Sequence, residues 1–214
     1  MVSRSKSIFI VEGKHDLSLI SVLLIEKYEI AELNKVCSFY TNDGTTKVKH
    51  VQETRFLRDF FTQGSPFQFA IKSEGGKSFV LRLLGSIIEE IVREPEEVKA
   101  NVYCMVDLDG NTEKQQLKDI VAVARSTMDR LSMKYHISSG KGNSFLGNSF
   151  YNYCYDITLH YNNEAFIFPL TVLLANPTLE SIVAKYCKVS KNKVKQEHVK
   201  KFALNFKDEL TGLV

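Results

Sequence analysis

The chain has 214 residues, of which 44% are hydrophobic and 25% are charged, and its formal net charge at pH 7 is +3. This composition is typical of a globular protein whose apolar core needs no disulfide or metal for folding. No stretch reaches the roughly 18 consecutive apolar residues of a membrane-spanning helix. The near-neutral charge does not by itself indicate a nucleic-acid partner, because such partners are inferred from clustered charge.

The four cysteines, Cys37, Cys104, Cys154 and Cys187, lie far apart in the sequence. They form neither a CxxC pair nor a cysteine–histidine cluster with the spacing of a zinc site. We therefore predict reduced, structural thiols, as is usual in the cytosol. The first apolar stretch is interrupted at Glu12, so a signal peptide is not expected and the protein is predicted to be cytoplasmic.

Three strand–turn–helix units follow one another along the chain, because short apolar runs alternate with segments of helical periodicity. They are predicted as strand 8–11 with helix 17–28, strand 67–71 with helix 79–92, and strand 102–106 with the helix after it. Such a series indicates an α/β fold, Rossmann-like, with a mainly parallel sheet flanked by helices. Right-handed crossovers then place the three turns at one edge of the sheet.

Two segments depart from this rhythm. Residues 30–66 are predicted either as a second strand with a helix or as an insertion, and residues 138–150 as a loop rich in Gly, Ser and Asn. Residues 151–170 are expected to form one or two strands. We predict an α/β domain over residues 1–170 and a helical, lysine-rich extension over residues 171–214. Within that extension, residues 185–201 contain seven lysines and one acid, Glu197.

Acidic residues stand at the ends of two predicted strands. Glu12 and Gly13 follow the first strand, and Asp107, Leu108 and Asp109 follow the third. Ligands of open α/β sheets bind outside the carboxyl ends of the strands, and residues two apart in an extended chain point the same way. If the two strands are neighbours, about 5 Å apart, three carboxylates converge. Hard oxygen ligands of this kind suit Mg²⁺ or Mn²⁺.

Each of these acids also has a simpler interpretation. Glu12 is a favourable residue for a first helix turn, Asp16 for a helix cap, and Asp107 and Asp109 for a turn before Gly110. The repetition of the pattern after two separate strands favours a functional site over these separate structural roles.

The motifs resemble those of the TOPRIM domain family. "FIVEGKHDLSLI" is similar to the first motif, a strand followed by Glu-Gly and a later Asp, and "MVDLDGN" is similar to the second, Asp-x-Asp after a strand. The resemblance covers residues 7–135 and includes an "EGGKS" turn typical of small stand-alone members. Related domains occur in topoisomerases, primases, recombination proteins, and OLD-like and maturation nucleases.

The resemblance implies a Mg²⁺-dependent phosphodiester site and a nucleic-acid partner, DNA or RNA. Glu12 would be the general acid or base, and Asp107 and Asp109 would be metal ligands. Asp16 would be a supporting ligand or a ligand of a second metal, as in OLD-like nucleases. Gly13 and Lys77 would bind substrate phosphate, although Lys77 is also typical of a solvated turn.

Other members of the family need parts that this chain does not show. No tyrosine has the context of a topoisomerase nucleophile, and the cysteines provide no zinc module of the primase type. In the "GGKS" stretch a P-loop would need glycine where Ile71 stands. The interpretation that is left is a small stand-alone TOPRIM protein.

Two rival families share the Asp-x-Asp motif. A calcium-binding EF-hand loop beginning at Asp107 would need Gly and Glu where the chain has Thr112 and Lys118. Haloacid-dehalogenase phosphatases use the first Asp as a covalent nucleophile, but Asn111 departs from their motif and no later acidic pair follows. Asp107 as a phosphatase nucleophile is kept as a third alternative.

Two function classes therefore stand first. One is a Mg²⁺-dependent enzyme, with Mn²⁺ as a substitute, that hydrolyses or transfers phosphodiesters of nucleic acid. The other is a non-catalytic, metal-dependent module that binds RNA, DNA or a ribonucleoprotein. Glu164 is a further candidate for the acidic site or a strand cap. The C-terminal lysines form either a solvated helix face or a track for phosphates.

Overall fold

The computed structural model describes residues 6–28, 36–40, 57, 60–61, 68–73, 75–93, 95 and 100–214. Within these ranges the chain forms eight strands joined in one sheet. The strands are β1 (Lys6–Val11), β2 (Val36–Tyr40), β3 (Phe69–Ser73), β4 (Ala100–Asp107), β5 (Lys134–Ile137), β6 (Lys141–Phe145), β7 (Phe150–Tyr161) and β8 (Glu164–Ala175).

The sheet is mixed and mostly parallel. Its strand order is β2-β3-β1-β4-β8-β7-β5, and β6 pairs with β7 beside β5. The pairs β2–β3, β3–β1, β1–β4 and β4–β8 are parallel, whereas β5, β6 and β8 pair antiparallel with β7. The predicted α/β fold, with a mostly parallel sheet flanked by helices, is confirmed, and the architecture is compatible with a Rossmann-like one.

Helices cover both faces of the sheet. They are α1 (Lys14–Tyr28), α2 (Lys77–Arg93), α3 (Glu113–Arg130), α4 (Leu179–Cys187), α5 (Gln196–Asn205) and the short α6 (Lys207–Leu210). Single 3₁₀ turns at Lys191–Lys193 and Thr211–Leu213 complete the C-terminal part. In the first two units the observed helices begin before the predicted ones: α1 begins three residues earlier and α2 two residues earlier. The predictions began at the first apolar residue of each pattern, whereas the first turn of a helix tolerates polar residues.

The strand residues alternate between two cores. Ile8 and Ile10 of β1 face a core formed with α2 and α3, whereas Phe9 and Val11 face a core formed with α1, α4 and α5. Tyr103 and Met105 of β4 belong to the second core, so Asp107, at the next position of the same parity, stands on the α1 and α4 side. This alternation explains why the central strands read as continuous apolar runs.

The antiparallel part differs from its prediction in one place. Residues 138–150 were expected to form a loop, but β6 lies within them and pairs with β7. Gly142 favoured the prediction of a loop. In the structure it lies opposite Tyr153 in the β6–β7 pair, and the tyrosine ring occupies the space that a side chain at residue 142 would fill. Residues 151–170 form two strands, joined by a tight turn in which Asn162 and Asn163 have positive φ.

Part of the predicted insertion is a strand of the sheet. Within residues 30–66, β2 pairs with β3, and Leu57 and Phe60 are buried in the core on the α2 side. Most of the remaining residues of this segment lie outside the described part of the chain. The domain boundary predicted after residue 170 falls inside β8, whose later residues pair with β4.

Within the described ranges, no helix combines the length and the apolar character that crossing a membrane would require. The three cysteines whose side chains are described, Cys104, Cys154 and Cys187, are free thiols. Burial raises the pKa of Cys104 to about 12, so this thiol is not ionised at neutral pH.

Candidate acidic site

The carboxyl ends of four parallel strands meet at one edge of the sheet. In the strand register, Val11 of β1 lies beside Met105 of β4 and Ser73 of β3, and Asp107 lies beside Ala175 of β8. The first and third units therefore supply neighbouring strands, which is the condition under which Glu12 and Asp107 were expected to approach each other.

Glu12 accepts hydrogen bonds from residues at or just after the ends of β4 and β3, the two strands that pair with β1. Its Oε1 accepts a hydrogen bond of 3.1 Å from the backbone N–H of Asp107. Its carbonyl oxygen accepts bonds of 2.7 and 3.1 Å from the N–H groups of Gly75 and Gly76. Both glycines have positive φ, 70° and 122°, a conformation that glycine adopts at little cost. The Gly-Gly turn thus fixes the backbone of Glu12.

Asp107 is the last residue of β4 and bonds to three different elements. Its N–H donates to Glu12, and its carbonyl oxygen accepts a 2.6 Å bond from Nε2 of Gln116 in α3. Its Oδ1 accepts a 3.0 Å bond from the N–H of Leu179, the first residue of α4. Burial is the largest cause that raises the pKa of Asp107, to about 7; the Leu179 bond lowers the pKa, and the nearby charge of Glu12 raises it further.

The side chain of Asp16 accepts a hydrogen bond from the backbone just before α1. Its Oδ2 accepts a 2.8 Å bond from the N–H of Gly13, and only 6% of Asp16 is exposed. Burial, followed by the charge of Asp107, raises its pKa well above the usual range, against the effect of the Gly13 bond. The N–H of Gly13, predicted to bind a phosphate, therefore already has an acceptor.

Asp109 is the exposed acid of the cluster. It has φ 45° and is followed by Gly110 with φ 81°, a pair of left-handed residues that turns the chain out of β4. Its N–H donates to the carbonyl oxygen of Pro177 at 3.1 Å. The turn leads through Thr112, whose side chain accepts from Gln115 N–H at 3.2 Å and caps α3.

Lys77, which the sequence indicates as a phosphate ligand or a solvated turn residue, forms an ion pair with Asp119. Its Nζ lies 2.9 Å from Oδ2 of Asp119 in α3, and Nε2 of Gln115 bonds to the other oxygen of Asp119 at 2.7 Å. The positive charge of Lys77 still lowers the pKa of Glu12, although burial of that carboxyl and the charge of Asp109 raise it. A phosphate would have to compete with Asp119 for this ammonium group.

Sequence reasoning missed residues that complete this edge. Glu180 in the first turn of α4 contributes another acid, and its Oε1 lies 2.8 Å from Nδ1 of His15. Gln116 is buried beneath the turn after β4. The signal for Glu180 was the Pro-Thr-Leu-Glu start of a helix after residue 175, but nothing in the sequence showed that β8 lies next to β4. Glu164, at the start of β8, lies at the opposite edge of the sheet.

Acidic side chains are concentrated at this edge of the sheet. Burial is the largest cause that raises the pKa of Glu12, Asp16 and Asp107, and the charges of neighbouring acids raise these three pKa values further. The oxygens of these carboxyls are hard donors that suit Mg²⁺ or Mn²⁺.

Two buried polar atoms, Ser73 Oγ at the end of β3 and Gln116 Oε1, have no hydrogen-bond partner within the described part of the chain. They leave bonding capacity for water or a ligand beside the acids.

The carboxylate oxygens are suitable ligands for a divalent cation, but their positions in the structure do not surround a common point. Among the residues that the structure describes, no three His, Cys, Asp or Glu side chains are gathered as ligands around one point. One oxygen of Glu12 and one of Asp107 bind backbone N–H groups. Binding of a cation would therefore require these carboxyls to shift.

Comparisons with known proteins add no family to this description: no family model, no curated protein and no solved structure matches the chain.

Proposed function

We propose that the protein is a small TOPRIM-type enzyme that hydrolyses or transfers phosphodiesters of nucleic acid with the help of Mg²⁺, for which Mn²⁺ can substitute. The observation that supports this proposal is the meeting of Glu12, Asp107 and Asp109 at the carboxyl ends of two paired parallel strands. Holding the partly buried carboxyls of Glu12 and Asp107 close together is costly, and a cation that they share would offset this cost.

In this proposal Asp107 and Asp109 hold the cation and Asp16 supports them. The bound cation supplies positive charge that neutralises the phosphate oxygens. Glu12, whose pKa is raised by burial, exchanges a proton with the attacking water or the leaving oxygen. The Gly75–Gly76 bonds to the backbone of Glu12 keep this carboxyl at the strand edge.

A non-catalytic nucleic-acid-binding module is the second candidate. It is favoured by the bond from Asp107 N–H to Glu12 Oε1, because this bond engages one oxygen of the carboxyl that the enzyme would need for proton transfer. A phosphatase with Asp107 as nucleophile has less support, because Asn111 departs from the motif of that family and no later acidic pair follows.

A panel of single- and double-stranded DNA and RNA tests the proposal. Each labelled substrate is incubated with the protein and Mg²⁺, Mn²⁺ or EDTA, and the products are separated on denaturing gels. We expect new fragments in the lanes with metal and none with EDTA. Retention of substrate on native gels without fragments under any condition would favour the binding module.

The removal of one carboxylate should weaken metal binding without disturbing the fold. We expect Asp109→Asn to lower the affinity for Mn²⁺, measured by titration calorimetry, by at least about tenfold. Asparagine tolerates the positive φ at this position, and the N–H bond to Pro177 is unaffected. Glu164→Gln, at the opposite edge, is the matched control. Wild-type protein that binds neither metal at millimolar concentration would contradict both candidate functions.

A further inference from the structure

A groove opens between α3 and the antiparallel part of the sheet. It has a volume of about 810 Å³, within the range of about 300–1,000 Å³ typical of ligand sites. The groove exists because α3 packs over the central strands, while β7 extends the sheet beyond it. One wall is α3, the floor includes Tyr153 and Tyr155 of β7, and Ser138 and Ser139 close the far side.

The wall on α3 carries positive charge along one helix face. Lys114, Lys118 and Arg125 line the groove and are exposed, and their spacing of four and seven residues places them on the same face. At 1.5 Å per residue they span about 16 Å. None of the three forms an ion pair with a residue of the described chain. Leu117 and Val121 lie between them and add apolar surface.

The floor of the groove offers fixed aromatic rings. A Cβ placed on Gly140 would lie 2.5 Å from Cζ of Tyr155, and one on Gly142 would collide with the ring of Tyr153. The rings therefore pack against the glycine backbone, which limits their motion. The hydroxyl of Tyr153 donates to Glu113, the acid that lines the groove. Rigid rings lose little entropy when a ligand stacks on them.

The groove begins where the acidic site ends. Glu113, the first residue of α3, follows the turn of Asp109 and Gly110 by only a few residues. Lys114 is the cation nearest this turn along the helix, and Arg125 is the farthest. A chain bound along the groove would therefore reach the carboxylates at one end.

We propose that this groove binds a single-stranded segment of nucleic acid, with phosphates on Lys114, Lys118 and Arg125 and a base against the half-buried Tyr153. The inference rests on the proposed function, since it names the form of substrate that the acidic edge would receive. Alternating cations and aromatic rings are typical of sequence-tolerant single-strand binding. A duplex keeps its bases stacked inside and could not place one on Tyr153.

Binding is measured separately from cleavage by fluorescence anisotropy in EDTA. The probes are labelled single-stranded DNA and RNA of about 12 nucleotides, the matching duplexes, and a labelled mononucleotide. We expect the single strands to bind best. Equal affinity for the duplexes, or for the mononucleotide, would overturn the proposal.

Charge reversal locates the binding surface. Lys118→Glu combined with Arg125→Glu should weaken single-strand binding at least about tenfold and reduce the slope of log affinity against log salt by about 1.4. Tyr153→Leu should weaken binding by about tenfold.

The matched control reverses two exposed charges that do not line the groove, Lys134→Glu with Lys207→Glu, and should bind like the wild type. Circular dichroism of every variant checks the fold. Unchanged single-strand affinity in the groove variants, or a loss of affinity in the control alone, would overturn the proposal that the groove is the binding surface.

The outcomes separate this inference from the proposed function. Wild-type protein that binds single strands in EDTA but cleaves nothing with metal would refute the enzyme and support the groove. Cleavage by wild-type protein, together with groove variants that bind normally, would support the enzyme and refute the groove.

Discussion

Glu12→Gln is expected to lower metal-dependent cleavage by at least about 100-fold, the usual contribution of a positioned general acid or base. Glutamine keeps an oxygen that can accept the bond from Asp107 N–H, and the backbone bonds from Gly75 and Gly76 do not depend on the side chain. The fold should therefore be retained. Initial rates on the substrate that the panel identifies, at saturating Mg²⁺ or Mn²⁺, give the measurement.

The control for this variant is Glu164→Gln, which makes the same chemical change on an exposed residue at the far end of β8. Its rate should stay within a few-fold of the wild type. A Glu12→Gln protein that is folded, binds the metal normally and cleaves at the wild-type rate would exclude Glu12 from proton transfer.

Asp107→Asn is expected to stabilise the metal-free protein above neutral pH. The pKa of Asp107 is about 7 in the folded protein, against an ordinary value of 3.8. Between these two pH values the folded state holds a proton that the unfolded chain has released, so stability falls as pH rises. Asparagine does not ionise and still accepts from Leu179 N–H. The gain should reach at most about 4 kcal/mol above pH 7.

Urea unfolding in EDTA at pH 4 and pH 8 measures this effect. The difference between the variant and the wild type should be small at pH 4 and large at pH 8. Asp208→Asn, on an exposed residue, should change stability by less than about 0.5 kcal/mol at both pH values. Saturating Mg²⁺ at pH 8 should stabilise the wild type and leave the variant almost unchanged. A variant less stable than the wild type at pH 8 in EDTA would contradict the expectation.

The common edge at which β1 and β4 end could be predicted from the sequence, because each strand belongs to a local strand–turn–helix pattern. A strand, a glycine turn and a helix repeat around Val11 and Val106, and right-handed crossovers bring the ends of such strands to one edge. The proximity of Glu12 and Asp107 depended in addition on β1 and β4 being neighbours, which was a condition of the prediction and which the structure shows.

Contacts between distant parts of the chain could not be predicted in this way. Leu179, whose N–H donates to the Asp107 carboxylate, and Glu180 reach the site only because β8 lies next to β4. No local pattern of the sequence indicates that β8 is the neighbour of β4. Likewise, the ion pair of Lys77 could not be predicted, because its partner Asp119 lies on another helix. Strand β6 was missed because Gly142 within it and Gly140 just before it are typical of a loop, whereas in the structure they leave room for the rings of Tyr153 and Tyr155.

The position of β8 between β4 and β7 has a consequence for synthesis on the ribosome. One side of β4 pairs with β1, which is made earlier, but the other side waits for β8, which follows α3 and three further strands. Until β8 emerges, β4 is an unprotected strand edge of the kind that promotes aggregation. The charge of Asp107 and Asp109 at its end would help to keep the nascent chain from pairing with other molecules.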